Sequence, residues 1–280
     1  MAGVLYRIVS GLRWLTARSP DSVVCTRGEI VWALDLRDGI QLSIYLFGAF
    51  ERVTARALTR LLPKGGVAVD VGANIGAHTL PMARRAGASG RVIALEPTVR
   101  AAEGLRRNLG LNPRLAPRVT VYAAALVAPG DSPSLEYYSS WPVSKATGRH
   151  TIHRGVPQSA AGSIALTLDE LVTREALTRL DVVKIDVDGH EMRVLRGAHD
   201  TLATLRPSLV LELTPYALEE HGDAFDDLID LMTQARYRFV DERSFAPLSP
   251  DAREIARMIP SAGSINVVAI PIERPLARPE

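Results

Sequence analysis

Val67-Ala68-Val69-Asp70-Val71-Gly72-Ala73-Asn74-Ile75-Gly76-Ala77-His78-Thr79-Leu80 is the stretch whose reading decides the fold. Its first half is a short β-branched apolar run, as expected of a strand buried on both faces of a parallel sheet. Its second half carries Gly72 and Gly76 and opens a helical pattern from Ala77 to Arg85. Strand, glycine turn and helix bring backbone N–H groups to the carboxyl edge of a sheet, where a helix N-terminus favours negative charge. Gly72 is expected to let a ligand approach the backbone, and Gly76 to let helix and strand pack closely.

The spacing is Asp-x-Gly-x-x-x-Gly rather than Gly-x-Gly-x-x-Gly. A glycine is missing where a dinucleotide pyrophosphate would need backbone contact, which opposes a nicotinamide dehydrogenase. A smaller ligand with an amino or carboxylate end fits better, with Asp70 accepting from an ammonium or from turn N–H groups. Glu96 ends a second apolar run, Val92 to Leu95, and Pro97 stops that strand. A strand-end acid at this distance can accept the hydroxyls of a ribose, or it can cap the helix that follows.

Asp70-Val71-Gly72-Ala73-Asn74-Ile75-Gly76 resembles motif I of class I S-adenosylmethionine-dependent methyltransferases. With Lys184-Ile185-Asp186-Val187-Asp188-Gly189-His190-Glu191 downstream, the chain is similar to the FkbM family of O-methyltransferases from about Glu51 to Ile270. Asp188 stands where that family usually has Glu, and His190 where it usually has Ala. The resemblance implies a Rossmann-like, doubly wound, seven-stranded and mostly parallel α/β sheet. It implies S-adenosylmethionine as cofactor and a saccharide, glycolipid or polyketide-type hydroxyl as acceptor. It places Glu51, Asp70, Gly72, Asn74, Gly76, Glu96, Pro97, Ala124 and Asp186 around the cofactor. A scaffold that binds the cofactor without turnover stays open as an alternative.

The second motif supplies the chemistry. A sugar or polyketide hydroxyl is a weak acid, so its attack calls for a base or a metal. Asp186, Asp188, His190 and Glu191 can converge on the mouth of the sheet. His190 is attractive as the base because imidazole titrates near neutrality. Asp186 and Asp188 could hold Mg²⁺ through oxygen ligands.

The chain divides into an N-terminal extension (1–50), a catalytic domain (51–273) and a tail (274–280) that is expected to fray. Val4, Leu5, Ile8, Leu12 and Leu15 recur at helical spacing, with Arg7, Arg13, Arg18 and Trp14 among them. Such a helix docks on the domain or on a second copy in a homodimer, or lies on a membrane surface. Glu29 to Ile44 reads as a hairpin turning at Arg37-Asp38-Gly39, and Phe50 to Leu62 as a helix with Glu51 at its start. Further strands are expected at Val119–Ala124, Asp181–Val187, Ser208–Leu213, Tyr237–Asp241 and Ser264–Ile270, with Glu212 near the end of the third of these. Residues 128–162 lack periodicity and read as an acceptor loop, with Tyr138, Trp141, His150 and His153 suited to stacking on a sugar.

The formal charge of +2 is spread along the chain, and neither a basic track nor a base-flipping motif marks a nucleic-acid enzyme. One cysteine, Cys25, excludes an intrachain disulfide, and no apolar run reaches a membrane span. A cytoplasmic protein is the expectation.

Overall fold

The computed structural model describes residues 5–7, 9–10, 21–143, 150, 152 and 155–275. Seven strands form the central sheet, numbered here in chain order: β1 (Val67–Val71), β2 (Arg91–Leu95), β3 (Val119–Tyr122), β4 (Val182–Ile185), β5 (Ser208–Leu213), β6 (Tyr237–Asp241) and β7 (Ile265–Pro271). Their spatial order is β6-β7-β5-β4-β1-β2-β3. Only β7 runs antiparallel, pairing with both β5 and β6. The order reverses between β1 and β4, so a crevice opens at the carboxyl ends of those strands, the usual ligand site of a doubly wound sheet.

Side-chain alternation assigns the strands to two cores. Val69, Val71, Ile93, Leu95, Val183 and Ile185 face one layer, packed with the helices Glu191–Arg196 and Phe225–Gln234. Ala68, Val92, Ala94, Val182 and Val210 face the other, packed with the helices Arg52–Leu61, Thr79–Ala86 and Val99–Gly110. On this second face Asp70 and Lys184 are register partners, which puts opposite charges side by side in the sheet interior.

The N-terminal hairpin lies earlier than the alternation suggests. It pairs Ser22–Arg27 with Ile30–Asp35 through a two-residue turn at Gly28 and Glu29, both with positive φ, as a twist-compatible hairpin turn requires. Gly39–Phe47 is a helix, not the returning strand. Asp38 starts it: its Oδ1 accepts from the N–H groups of Ile40 (3.1 Å) and Gln41 (3.2 Å). The outer edge of Ile30–Asp35 is sealed by two asparagines of the Val99–Gly110 region. Asn108 Oδ1 accepts from Ala33 N, and Asn112 bonds both the N–H and the C=O of Val31.

Residues 128–162 contain an antiparallel pair, Glu136–Ser140 with Val156–Ser159, that periodicity does not announce. Residues 5–7 and 9–10 are helical, and Tyr6 and Val9 pack against the core, with the Tyr6 hydroxyl donating to Asp21 (2.6 Å). The expectations for Val4, Ile8, Leu12, Trp14, Leu15 and His153 lie outside the described residues. No helix among the described residues is long and apolar enough to cross a membrane.

Candidate active site

The turn after β1 is built by internal bonds. Gly72 and Ala73 donate to the carbonyl of Leu95, Asn74 to Glu96, Ile75 to the Asn74 side chain, and Gly76 to the carbonyl of Ala73. This corrects the expectation of free N–H groups: from Gly72 to Gly76 each is already taken. Asp70 is fully buried and turned away from the crevice. It accepts from the Thr79 hydroxyl (2.5 Å) and lies 3.7 Å from Lys184 Nζ, so it holds the turn and its helix rather than a ligand. Gly76 likewise shapes the turn. A Cβ there would collide with Leu80 and Leu105.

At the end of β2, Glu96 is buried at the crevice. Its Oε1 accepts from the Thr98 N–H (2.9 Å) and hydroxyl (2.5 Å), and its Oε2 from the Asn74 N–H (2.8 Å). Burial pushes its carboxyl above the ordinary value, while these donors pull it back. A carboxylate offers about four acceptor sites, so room remains for a ligand hydroxyl. Glu96 braces the turn that leads into the next helix through Thr98, and it faces the crevice beside Pro97 and the buried Ala124.

Near the end of β4, Lys184 opens the second motif, but its place in the sequence assigns it no role. Its buried ammonium lies 3.0 Å from Asp186 Oδ2 and donates to the Gly72 carbonyl (3.2 Å). The flanking carboxylates hold it charged, outweighing burial. Asp188 follows with a left-handed backbone (φ 51). The fully buried Glu191 props that turn, its Oε1 accepting from the N–H groups of Val187 and Gly189. Burial pushes Glu191 up to about 7. Asp188 and Glu212 are also pushed well up, by burial and by the crowding of Asp186, Glu191 and, at Glu212, Asp188.

His190 stacks on His221 with ring centroids 3.9 Å apart and meets Tyr137 edge-on. Burial and the neighbouring His221 push its imidazole down to about 3. It is therefore neutral at physiological pH and a much weaker base than free imidazole, which counters the reason for choosing it from sequence.

Two remote segments wall the crevice. The insert contributes Tyr137, Tyr138 and Trp141, and the N-terminal region contributes Ile40, Phe50 and Glu51. Asn74 Nδ2 donates to the Ser139 carbonyl (3.1 Å), and the Trp141 N–H donates to Asp38 Oδ2 (2.9 Å). Glu51 accepts from Asn266 Nδ2 (3.3 Å). The buried His78 lines the wall too, with its Nε2 3.7 Å from Glu51. His150 stands behind Tyr138, its Nε2 3.0 Å from Glu220, and is not among the lining residues.

The result is a cavity of about 440 Å³ at the switch point. Gly72, Asn74, Glu96, Pro97, Ala124, Asp186, Asp188, His190 and Glu51 converge on it, whereas Asp70, Gly76 and Glu191 support it from behind. Glu212, Thr214, Tyr216 and His221 complete the lining. They come from the end of β5 and the short helix Pro215–Glu220, where no sequence pattern distinguishes a site residue from a strand end. Among the described residues, no group of three or more His, Cys, Asp or Glu side chains is placed to hold a metal ion, and Asp186 is already paired with Lys184. The structure thus gives no support to Mg²⁺ on Asp186 and Asp188.

The seven-stranded sheet, with an antiparallel β7 between β5 and β6 and a cavity at its switch point, has the Rossmann-like architecture expected from the sequence. The family model described as the methyltransferase FkbM domain matches residues 70–239, and the chain belongs to that family of methyltransferases. It is 30% identical over 204 residues to the AMB antimetabolite synthetase AmbE of Pseudomonas aeruginosa, covering 60% of this chain but 9% of that one. It is 27% identical to the methyltransferase sdnD of Sordaria araneosa, covering 54% of this chain and 67% of that one. It is 29% identical to the hexuronic acid methyltransferase AglP of Haloferax volcanii, covering 55% of this chain and 59% of that one.

Proposed function

We propose that the chain is an O-methyltransferase that uses S-adenosylmethionine and acts on a neutral hydroxyl of a saccharide, glycolipid or polyketide-type metabolite. The observation that carries this reading is that Glu96, bonded to Asn74, lines one cavity together with Asp186 and Asp188. The cavity fits the cofactor in kind: an acid with acceptor capacity for a ribose, small Ala124 and Ala125 beside it for a flat base, and carboxylates for a cation. When bound, the cofactor supplies a methyl group on a positively charged sulfur.

The chain's own groups would then divide the work. Glu96, Pro97 and Ala124 hold the nucleoside, and Glu51 the amino-acid end. Asp186, fixed by Lys184, lines the reacting region without needing a proton. Asp188 takes the acceptor's hydroxyl proton, because its raised affinity for protons makes it a better base than an ordinary carboxylate. Tyr137, Tyr138 and Trp141 offer faces for a sugar or polyketide ring and exclude water. Among the described lining residues, six acids (Glu51, Glu96, Glu136, Asp186, Asp188 and Glu212) against the single Lys184 favour an uncharged acceptor over a polyanion such as nucleic acid.

The test is calorimetric titration with S-adenosylhomocysteine. Micromolar binding that weakens about tenfold or more in Glu96→Ala is the expected result. Unchanged affinity in Glu96→Ala would remove the ribose assignment. No binding by the unaltered chain up to millimolar ligand would sink the reading.

A further inference from the structure

Among the described residues, acids outnumber bases on the cavity. Lys184 is the one Lys or Arg side chain lining the cavity among the described residues, and it is spent on Asp186, Asp70 and the Gly72 carbonyl. Glu96 is engaged by Asn74 and Thr98, and Glu51 by Asn266. Among the described residues, no Lys, Arg or His forms an ion pair with Asp188 or Glu212, from the ends of β4 and β5, and Lys184 acts on Asp188 only from its place beside Asp186. The groups around them are Asp186, Lys184, Glu191, Glu96, Tyr216, His190, His221 and the Ser264 hydroxyl. Both imidazoles are shifted toward the neutral form, so they add no compensating charge. The chain also accepts a left-handed backbone at Asp188, held by Glu191, to keep this carboxylate at the cavity. A non-glycine residue in that region costs about 1–3 kcal/mol and persists where the surroundings enforce it.

We propose that Asp188 and Glu212 form a carboxylate pair that tells a sulfonium from a thioether, so that the site holds the methyl donor more tightly than its demethylated product. The proposal rests on the cofactor reading above and extends it to a discrimination that this pair provides. Two crowded carboxylates repel one another and retain protons in the empty cavity. A cation between them favours their ionised forms and drives protons off, whereas a neutral thioether gives no such gain. Donor binding is therefore linked to proton release, and its affinity rises with pH through the range in which the pair titrates. Product binding lacks that linkage. Glu212 becomes a specificity-determining residue, and Asp188 serves both binding and proton transfer.

The experiment is calorimetry on the full chain with S-adenosylmethionine, with sinefungin as a stable cationic analogue, and with S-adenosylhomocysteine. Runs in buffers of different ionisation enthalpy count the protons. The expected result near pH 8 is about tenfold tighter binding of both cationic ligands than of the thioether, with protons released only by the cations. The gap narrows toward about pH 6. In Glu212→Gln, which keeps an acceptor for Ser264, the gap falls to about threefold or less while thioether affinity is retained. Equal affinities in the unaltered chain would overturn the proposal. So would a gap that survives intact in both Glu212→Gln and Asp188→Asn. Failure of all three ligands to bind would overturn the cofactor reading itself, a different outcome from equal binding.

Discussion

Lys184 holds Asp186 at 3.0 Å from a position in the sheet interior where its own exposure is only 3%. The same ammonium lies 3.7 Å from Asp70, so one buried cation serves the turn after β1 and the loop after β4. Removing the cation of such a buried set costs about 3–5 kcal/mol, because Asp70 is left without a counter-charge in the sheet interior. Lys184→Met is expected to lose that much stability in urea unfolding. Adding Asp70→Asn should recover part of the loss, since one orphaned charge disappears.

Gly72 makes the second prediction. It has φ +78, and a Cβ on it would collide with the carbonyl of Asp186. Gly72→Ala should push the β4 loop away and weaken S-adenosylhomocysteine binding about tenfold or more, read by titration. Gly87 has nearly the same φ (+75) but nothing within 4 Å of such an atom. Gly87→Ala, at φ 75 and ψ −169 where essentially only glycine is found, should cost backbone strain of about 1–3 kcal/mol and leave affinity unchanged.

Asp38 joins the two walls of the cavity. One oxygen caps the helix Gly39–Phe47, and the other takes the Trp141 N–H. An amide at this position can accept on one side only. Asp38→Asn should cost about 1–2 kcal/mol and open the insert to faster cleavage in limited proteolysis. Asp38→Ala should lose the cap as well and fall further.

Glu191 predicts a pH dependence. Its carboxyl is raised from an ordinary 4.5 to about 7 in the folded chain, so between those values the folded state binds a proton that the unfolded state does not. Stability from this group is greatest below the unfolded value and falls by about 1.4 kcal/mol per pH unit through that window, levelling above about 7. Glu191→Gln should flatten the difference between denaturation midpoints measured near pH 5 and pH 8. An unchanged pH profile would show that the carboxyl is not perturbed.

Much of the architecture is legible in the chain. Ser208–Leu213 and Tyr237–Asp241 are read to the residue, because each is a short run rich in β-branched, leucine or aromatic residues with a turn or helix signal on both sides. Gly39–Phe47 misleads, since Ile40, Leu42 and Ile44 alternate as a strand would. The Asp38 cap is the signal that resolves it. The site is legible where it lies on contiguous motifs, at Glu96, Asp186 and Asp188. It is obscured where side-chain direction decides: Asp70 faces the helix layer rather than the crevice. Glu212, Tyr216 and His221 share the cavity only because β5 lies beside β4.

The asparagine-sealed edge of the N-terminal hairpin has a kinetic consequence. Ala33 and Val31 find their hydrogen-bond partners on Asn108 and Asn112, about 75–80 positions along the chain. A two-stranded hairpin alone is marginal in water. This one is expected to consolidate only after the helix Val99–Gly110 has docked on the central sheet, which makes its contacts late ones. Weakening the seal with Asn108→Ala should therefore hasten unfolding far more than it slows folding, and the unfolding arm of a denaturant chevron would carry nearly the whole effect.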